Sequence, residues 1–207
     1  AARYAIALAK SCRAKLSFVF VAEENRDREV SRHAEAALER LFIEAEKQDI
    51  EAESITERGN PFRKIRDVIN QKKIDLVFTA TRREDIPKRF FLKTIARELM
   101  MKLPCSVAMV RVVRMGRVVP KNILVPVRGH MTHIEERSCF LAKLAEAFGS
   151  TVTLFHLSKP LTSYFHGDIH LPSSQREERV PKDMEKFTEC LRRYEIYHEK
   201  RTRYGDI

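Results

Sequence analysis

Two histidine pairs, a few thiols and several cation clusters are the residues of this sequence with chemistry to offer. His130 and His133 stand three apart, and His166 and His170 four apart with Asp168 between them, spacings at which imidazoles bind metal ions. No cysteine or further carboxylate pattern completes a tetrahedral set, and both pairs fall in predicted loops. They read as solvent-exposed histidines, and no metal site is expected. Cys105 precedes a predicted strand and has no activating neighbour in sequence, which marks it as a buried structural thiol rather than a nucleophile. The sequence holds no nucleophile elbow, no Ser/His/Asp arrangement and no Gly-x4-Gly-Lys loop. Glu135-Glu136 and Glu177-Glu178 read as helix-start and surface charges. Nothing here argues for an enzyme, and no catalytic residue is assigned.

The cations are a broader signal. Lys and Arg number 39 against 29 Asp and Glu, a net charge of +10 with neutral histidines. That balance favours anionic partners without choosing among nucleotides, nucleic acid and acidic membrane surfaces. Arg192, Arg193, Lys200, Arg201 and Arg203 interleave with Tyr194, Tyr197 and Tyr204 as in single-strand binders. Glu195 and Glu199 interrupt the series, and the alternation also suits an edge strand with one polar face. We take the edge-strand reading and expect no nucleic-acid partner.

These residues need elements to position them, and the chain of 207 residues, 43% hydrophobic, is ample for a packed core. No apolar run approaches the roughly 18 residues that span a bilayer. The first residues carry neither the basic start nor the cleavage site of a signal peptide. Four cysteines without a Cys-x2-Cys pair fit a reduced, cytoplasmic setting. Helix-forming residues 3 to 12 lead into the apolar strand Lys15 to Ala22. Val30, Ala34, Ala37, Leu38, Leu41, Phe42 and Ala45 then recur at helical spacing. Ile50 to Glu57 is a second strand, and Gly59-Asn60-Pro61 a turn in which Asn60 caps the next helix. That helix is expected to bury Phe62, Ile65, Val68 and Ile69. The strand at Ile74 to Phe78, a polar loop, a helix carrying Phe91, Ile95 and Leu99, and a strand at Ser106 to Val113 complete the series. Apolar strands separated by helices predict a parallel sheet covered on both faces, an α/β doubly wound fold.

The pattern then restarts with the strand Asn122 to Val127, a helix from about Glu135 to Phe148 closed by Gly149, and the strand Thr151 to Leu157. Ala14 to Val21 aligns with Ser150 to Leu157. Asp49 to Pro61 lines up with Tyr194 to Ile207, placing Gly59-Asn60 over Gly205-Asp206, an internal repeat of about 140 residues. The expected domains are 1–114, without an opening strand like Asn122 to Val127, and 115–207, without a last strand–helix–strand like Ile74 to Val113. Interior strands of a parallel sheet are hard to lose, because their neighbours keep unpaired backbone groups. The natural protein is therefore expected to be longer at both ends, or this sequence to omit segments.

The residues now on the page resemble the universal stress protein family. Lys121 to His130, Lys-Asn-Ile-Leu-Val-Pro-Val-Arg-Gly-His, is similar to the family's opening strand, and Pro104-Cys105-Ser106-Val107 to its closing one. The resemblance implies a doubly wound parallel five-stranded sheet in the order 3-2-1-4-5, here in tandem. It also implies pairing through the final strand, which points to residues 107 to 119 as the contact of a homodimer or of an intramolecular domain pair. ATP-binding members carry Gly-x2-Gly-x9-Gly followed by Ser or Thr, glycines that let backbone N–H groups approach phosphates at a helix N-terminus. The matching positions here are Ala80, Arg83 and Lys93-Thr94, so only Thr94 keeps the pattern. Arg128 stands where the family places a nucleotide-contacting Asp, reversing the charge, and Gly129 is kept.

Two readings follow from the resemblance. In one, the nucleotide loop is degraded, and the chain is a non-enzymatic regulatory or interaction module, cytoplasmic, free or as the soluble tail of a membrane transporter, with a protein or transporter partner. In the other, Arg82, Arg83, Lys88, Arg89 and Lys93 hold the phosphates of ATP or AMP through side chains, as charge-assisted bonds permit.

Overall fold

A computed structural model describes residues 1–23, 28–81, 94–111, 119–127, 131–158 and 182–204. The chain divides into two units, Ala1–Val118 and Val119–Ile207. The first runs α1 (Ala2–Cys12), β1 (Leu16–Ala22), α2 (Arg28–Glu46), β2 (Ala52–Arg58), α3 (Pro61–Lys72), β3 (Leu76–Ala80), α4 (Ile95–Lys102) and β4 (Ser106–Val110). The second runs β5 (Asn122–Pro126), α5 (Ile134–Phe148), β6 (Thr151–Ser158), α6 (Lys182–Arg193) and β7 (His198–Tyr204).

Local chemistry accounts for the boundaries in the first unit. α1 buries Ala5, Ile6, Leu8 and Ala9 along one stripe and stops at Arg13, whose left-handed φ of 52° lets its N–H reach the carbonyls of Ala9 and Lys10. The Asn60 side chain accepts the Arg63 N–H at 3.0 Å, and Pro61 fills the first position of α3, where its absent N–H costs nothing. Of the four apolar residues expected inside α3, Val68 and Ile69 are buried. Phe62 and Ile65 are half-buried, and the guanidinium of Arg66 and the ammonium of Lys102 lie over the Phe62 ring at 5.8 and 5.5 Å. One cluster of buried residues joins Ile6, Ala9, Phe18, Leu38, Ala45 and Ile50.

Every ladder among the described residues is parallel. β1 pairs with β2 in the register Leu16↔Ala52 to Ala22↔Arg58, and β3 with β4 from Leu76↔Ser106 to Ala80↔Val110. Among the described residues these are separate two-stranded sheets. The second unit holds one sheet in the order β5-β6-β7, with Asn122↔Thr151 and Val152↔His198 in register. β7, with its polar alternation, is an edge of that sheet, and Arg201 pairs with Glu199 along it at 2.9 Å.

Val127, Leu141, Ala142, Ala145, Val152, Leu154, Met184, Phe187 and Leu191 make the second unit's core. Ser138 and Thr188 are buried with them because each hydroxyl donates back to its own helix, to Ile134 O at 2.7 Å and Met184 O at 2.8 Å. Gly149 closes α5 at φ 59°, and the Ser150 hydroxyl donates to Pro120 O at 2.6 Å, fixing the start of β6 against the approach to β5. On the opposite face, a groove of about 540 Å³ runs over Asn122, Leu124, Thr153, Phe155, Arg201 and Arg203, and Leu124 is 65% exposed.

Candidate functional site

In the first unit the candidate site lies where β3 ends and α4 begins. Ala80 closes β3 and is exposed. Thr81 continues the ladder for one bond, donating its N–H to Val110 O at 3.1 Å. The Thr81 hydroxyl is buried and meets no partner among the described residues. At the other side, Thr94 sits in extended backbone and its Oγ1 accepts the Arg97 N–H at 3.3 Å, so the expected phosphate contact is the N-cap of α4. Its O–H remains able to donate to an anion while the oxygen accepts. Glu98 in the first turn is neutralised by Lys102 at 2.8 Å, four residues on. Arg82, Arg83, Lys88, Arg89 and Lys93 lie outside the described residues.

Arg128 and Gly129 also lie outside them, as does His130. The structure places what surrounds them. Val127 is 2% exposed, donates its N–H to Phe155 O at 2.7 Å, and presents its carbonyl to His156 Nδ1 at 2.8 Å. Beyond the gap, the Met131 N–H donates to the Asp183 carboxylate at 2.5 Å, tying the start of α5 to the first turn of α6. His133 occupies the N-cap of α5 at φ 55° without a side-chain cap bond, and its Nδ1 lies 3.4 Å from Glu136. The Glu136 carboxyl is held below the usual carboxylate range, by a backbone N–H first and by His133 second. Sequence reasoning had no signal for Asp183 or His156, because both act on main-chain atoms of a distant segment.

Cys105 is half-buried, and burial pushes its pKa up, which disfavours the thiolate a nucleophile needs. Cys139 Sγ lies 3.3 Å from the Tyr194 hydroxyl, and the same ring carries Lys143 at 5.3 Å on its face. No three His, Cys, Asp or Glu side chains converge to hold a metal among the described residues. No helix among them is long and apolar enough to cross a membrane.

The comparisons agree with this geometry. The universal stress protein family model matches residues 1–111, and the chain belongs to that family. The fold is similar to that of a universal stress protein from Archaeoglobus fulgidus, with a TM-score of 0.60 at 13% identity, over 98% of this chain and 72% of that one. It is also similar to a functionally unknown protein from Pseudomonas aeruginosa, with a TM-score of 0.58 at 16% identity, over 99% and 68% of the two chains. Among curated proteins, none matches the sequence.

Proposed function

We propose that this chain is a tandem universal-stress-protein-like module that works by regulation and interaction rather than catalysis, with its nucleotide loop degraded in the first unit. The observation that carries this reading is the end of β3. A Cβ stands at Ala80, where ATP-binding members of the family have their first glycine, and arginine and lysine follow at the next two glycine positions. A glycine at such a position lets backbone N–H groups approach a phosphate, which a residue with a side chain hinders. The pairs β2-β1 and β3-β4 are those that the order 3-2-1-4-5 holds on either side of its strand 1, which supports that order for the first unit. The module is cytoplasmic, free or as the soluble tail of a membrane transporter.

Its contact with a second copy runs through residues 107 to 119, of which Val107 and Val110 lie in β4, paired only with β3 among described strands. Replacing Val110 and Val112 with glutamate is expected to split that assembly in sedimentation, and an unchanged mass refutes the contact.

A second reading has an observation of its own. The Thr81 hydroxyl, without a partner among the described residues, sits at the strand end from which Arg82 and Arg83 follow in sequence, so a side-chain cradle for the phosphates of ATP or AMP has one polar group already waiting. Calorimetric titration with Mg-ATP, with inorganic triphosphate as the control, separates the two. The degraded-loop reading expects no heat above the control. Saturable micromolar binding of ATP alone, lost in Thr81→Val, establishes the second reading.

A further inference from the structure

We propose that Cys139 and Cys190, on the neighbouring helices α5 and α6 of the second unit, are a redox-active thiol pair, which a hydroperoxide closes to a disulfide and a dithiol reopens. The two helices run side by side in one direction, joined at their starts and again near the end of α6. The first join is the bond from the Met131 N–H to the Asp183 carboxylate, between residues 52 apart in sequence. Carried along both helices, that offset sets Ser138 level with Cys190, and these two residues line one groove. Cys139 is the next residue of α5.

One phenol joins the two sulfurs. Tyr194 follows α6 directly and stands one turn after Cys190, before Glu195 closes the helix at a left-handed φ of 55°. Side chains of a helix lean toward its N-terminus, so the Tyr194 ring leans back toward the turn that holds Cys190. Its hydroxyl meets Cys139 Sγ at 3.3 Å, and Lys143, one turn after Cys139, lies over its ring at 5.3 Å. The electrostatics agree with this placement. The phenol is held above its usual pKa by Cys139 first, and Cys190 adds to the effect. Arg193, paired with Glu189 at 2.8 Å, also feels Cys190 and, from α5, Glu135 one turn before Cys139. The other two cysteines, Cys12 and Cys105, belong to the first unit.

Access sets the order of events. Both thiols are half-buried, but Cys190 lines the groove, about 480 Å³ between Met131, His133, Lys186 and Arg193, whereas Cys139 sits against the phenol. A hydroperoxide entering there meets Cys190 first. The Cys190 thiolate attacks one oxygen, the O–O bond breaks, and the alkoxide or hydroxide that leaves takes up the proton of the thiol, which makes a sulfenic acid. The Cys139 sulfur then attacks the Cys190 sulfur. The S–O bond breaks, and hydroxide departs as water with the Cys139 proton. The two thiols give up two electrons, and the hydroperoxide ends as one alcohol, or water, and one further water. The disulfide ties together the two helices that share the core of the second unit and draws Cys139 off Tyr194. The nucleotide loop takes no part in it.

The test uses the full chain and hydrogen peroxide, with free thiols then blocked by N-ethylmaleimide and the protein digested with trypsin without reduction. We expect peptides 138–143 and 187–192 joined in the monomer and separated by dithiothreitol. In Cys139→Ser the sulfenic acid has no partner, so its dimedone adduct at Cys190 should exceed that of the wild type about tenfold or more. In Cys190→Ser, Cys139 should show little adduct. Closing a loop of about 50 residues should also raise the urea midpoint of the oxidised chain above that of the reduced one, a rise that both serine variants lose. The wild-type peptide map decides if a variant fails to fold. A link to Cys12 or Cys105, a link only between chains, or Cys139 and Cys190 still open to N-ethylmaleimide after about a tenfold excess of peroxide overturns the proposal.

Discussion

β1 and β6 align position by position without an identical residue, keep much the same apolar pattern, and have opposite neighbourhoods. Each has a parallel partner on one side, β2 for β1 and β7 for β6, in corresponding registers. On the other side β6 carries β5, whereas β1 faces a cavity. Their outer layers invert the contrast. Lys72 at the end of α3 reaches the Glu53 carboxylate of β2 at 2.7 Å, while the corresponding face of β5-β6-β7 is an open groove with Leu124 exposed. A strand sequence thus specifies a ladder edge, and whether that edge is used depends on what the rest of the chain brings to it.

The largest test of this contrast is in the second unit's core. Leu154 is fully buried, and Leu154→Ala should cost about 2–5 kcal/mol in urea unfolding, while the same change at Leu124, on the open groove, should cost little. A large loss at Leu124 would mean that the groove is covered in solution. Proline at paired positions sharpens the comparison. Phe155 belongs to the ladder with β5, so Phe155→Pro should destabilise by about 3 kcal/mol; Val19→Pro, at the aligned site on the open edge of β1, should cost clearly less. Equal losses would show that the β1 edge is already paired.

Smaller effects concern how β2 is anchored. Asn60→Ala removes the cap of α3 and should lower stability by about 1 kcal/mol in thermal or urea melts, and Asn60→Asp should restore it. Glu53 accepts hydrogen bonds from Lys72 at 2.7 Å and from the Ser17 hydroxyl at 2.8 Å, with Lys72 the larger influence, and its carboxyl is held below the usual range. A folded-state pKa below the unfolded one means that this contribution is complete above the unfolded carboxylate pKa and is lost as pH falls through the lower folded value. The groups are partly exposed and screened, so Glu53→Gln should flatten acid destabilisation by less than about 1 kcal/mol.

Much of this architecture is legible in the sequence where the physics is local. Strands apolar on both faces, Asn60 before Pro61, and Gly149 after the α5 stripe each settle a boundary through a few neighbouring residues. The expected strand at Ile50 to Glu57 begins two residues later, at Ala52, because Ile50 turns into the core and donates its N–H to Ala45 O. Helical spacing puts Phe62 and Ile65 on the apolar stripe, where both are half-buried, but cannot foresee the cation that arrives over the Phe62 ring from α4. The candidate site is less legible: Ala80 and Thr94 are reached through the family resemblance alone, β3 runs on to Ala80 past its expected end at Phe78, and Thr94 serves as the cap of α4. The Asp183 bond to Met131 spans 52 residues and leaves no periodic trace. The gap between β1 and β3 is likewise a non-local fact, visible only as a strand that one half of the sequence has and the other lacks.

Pro126 has a consequence for how the chain keeps apart from its neighbours during synthesis. The Thr151 N–H donates to Lys121 O and the Val127 N–H to Phe155 O, so by alternation Asn122, Leu124 and Pro126 turn their main chain away from β6. At the last of these there is no N–H to offer, and the outer margin of β5 cannot template a full-length strand from another nascent chain. β1 and β3 carry no such guard on their facing margins, where Ser17, Val19, Val21, Leu76, Phe78 and Ala80 all keep their donors. Left open, those margins, rather than β5, are where aggregation would begin.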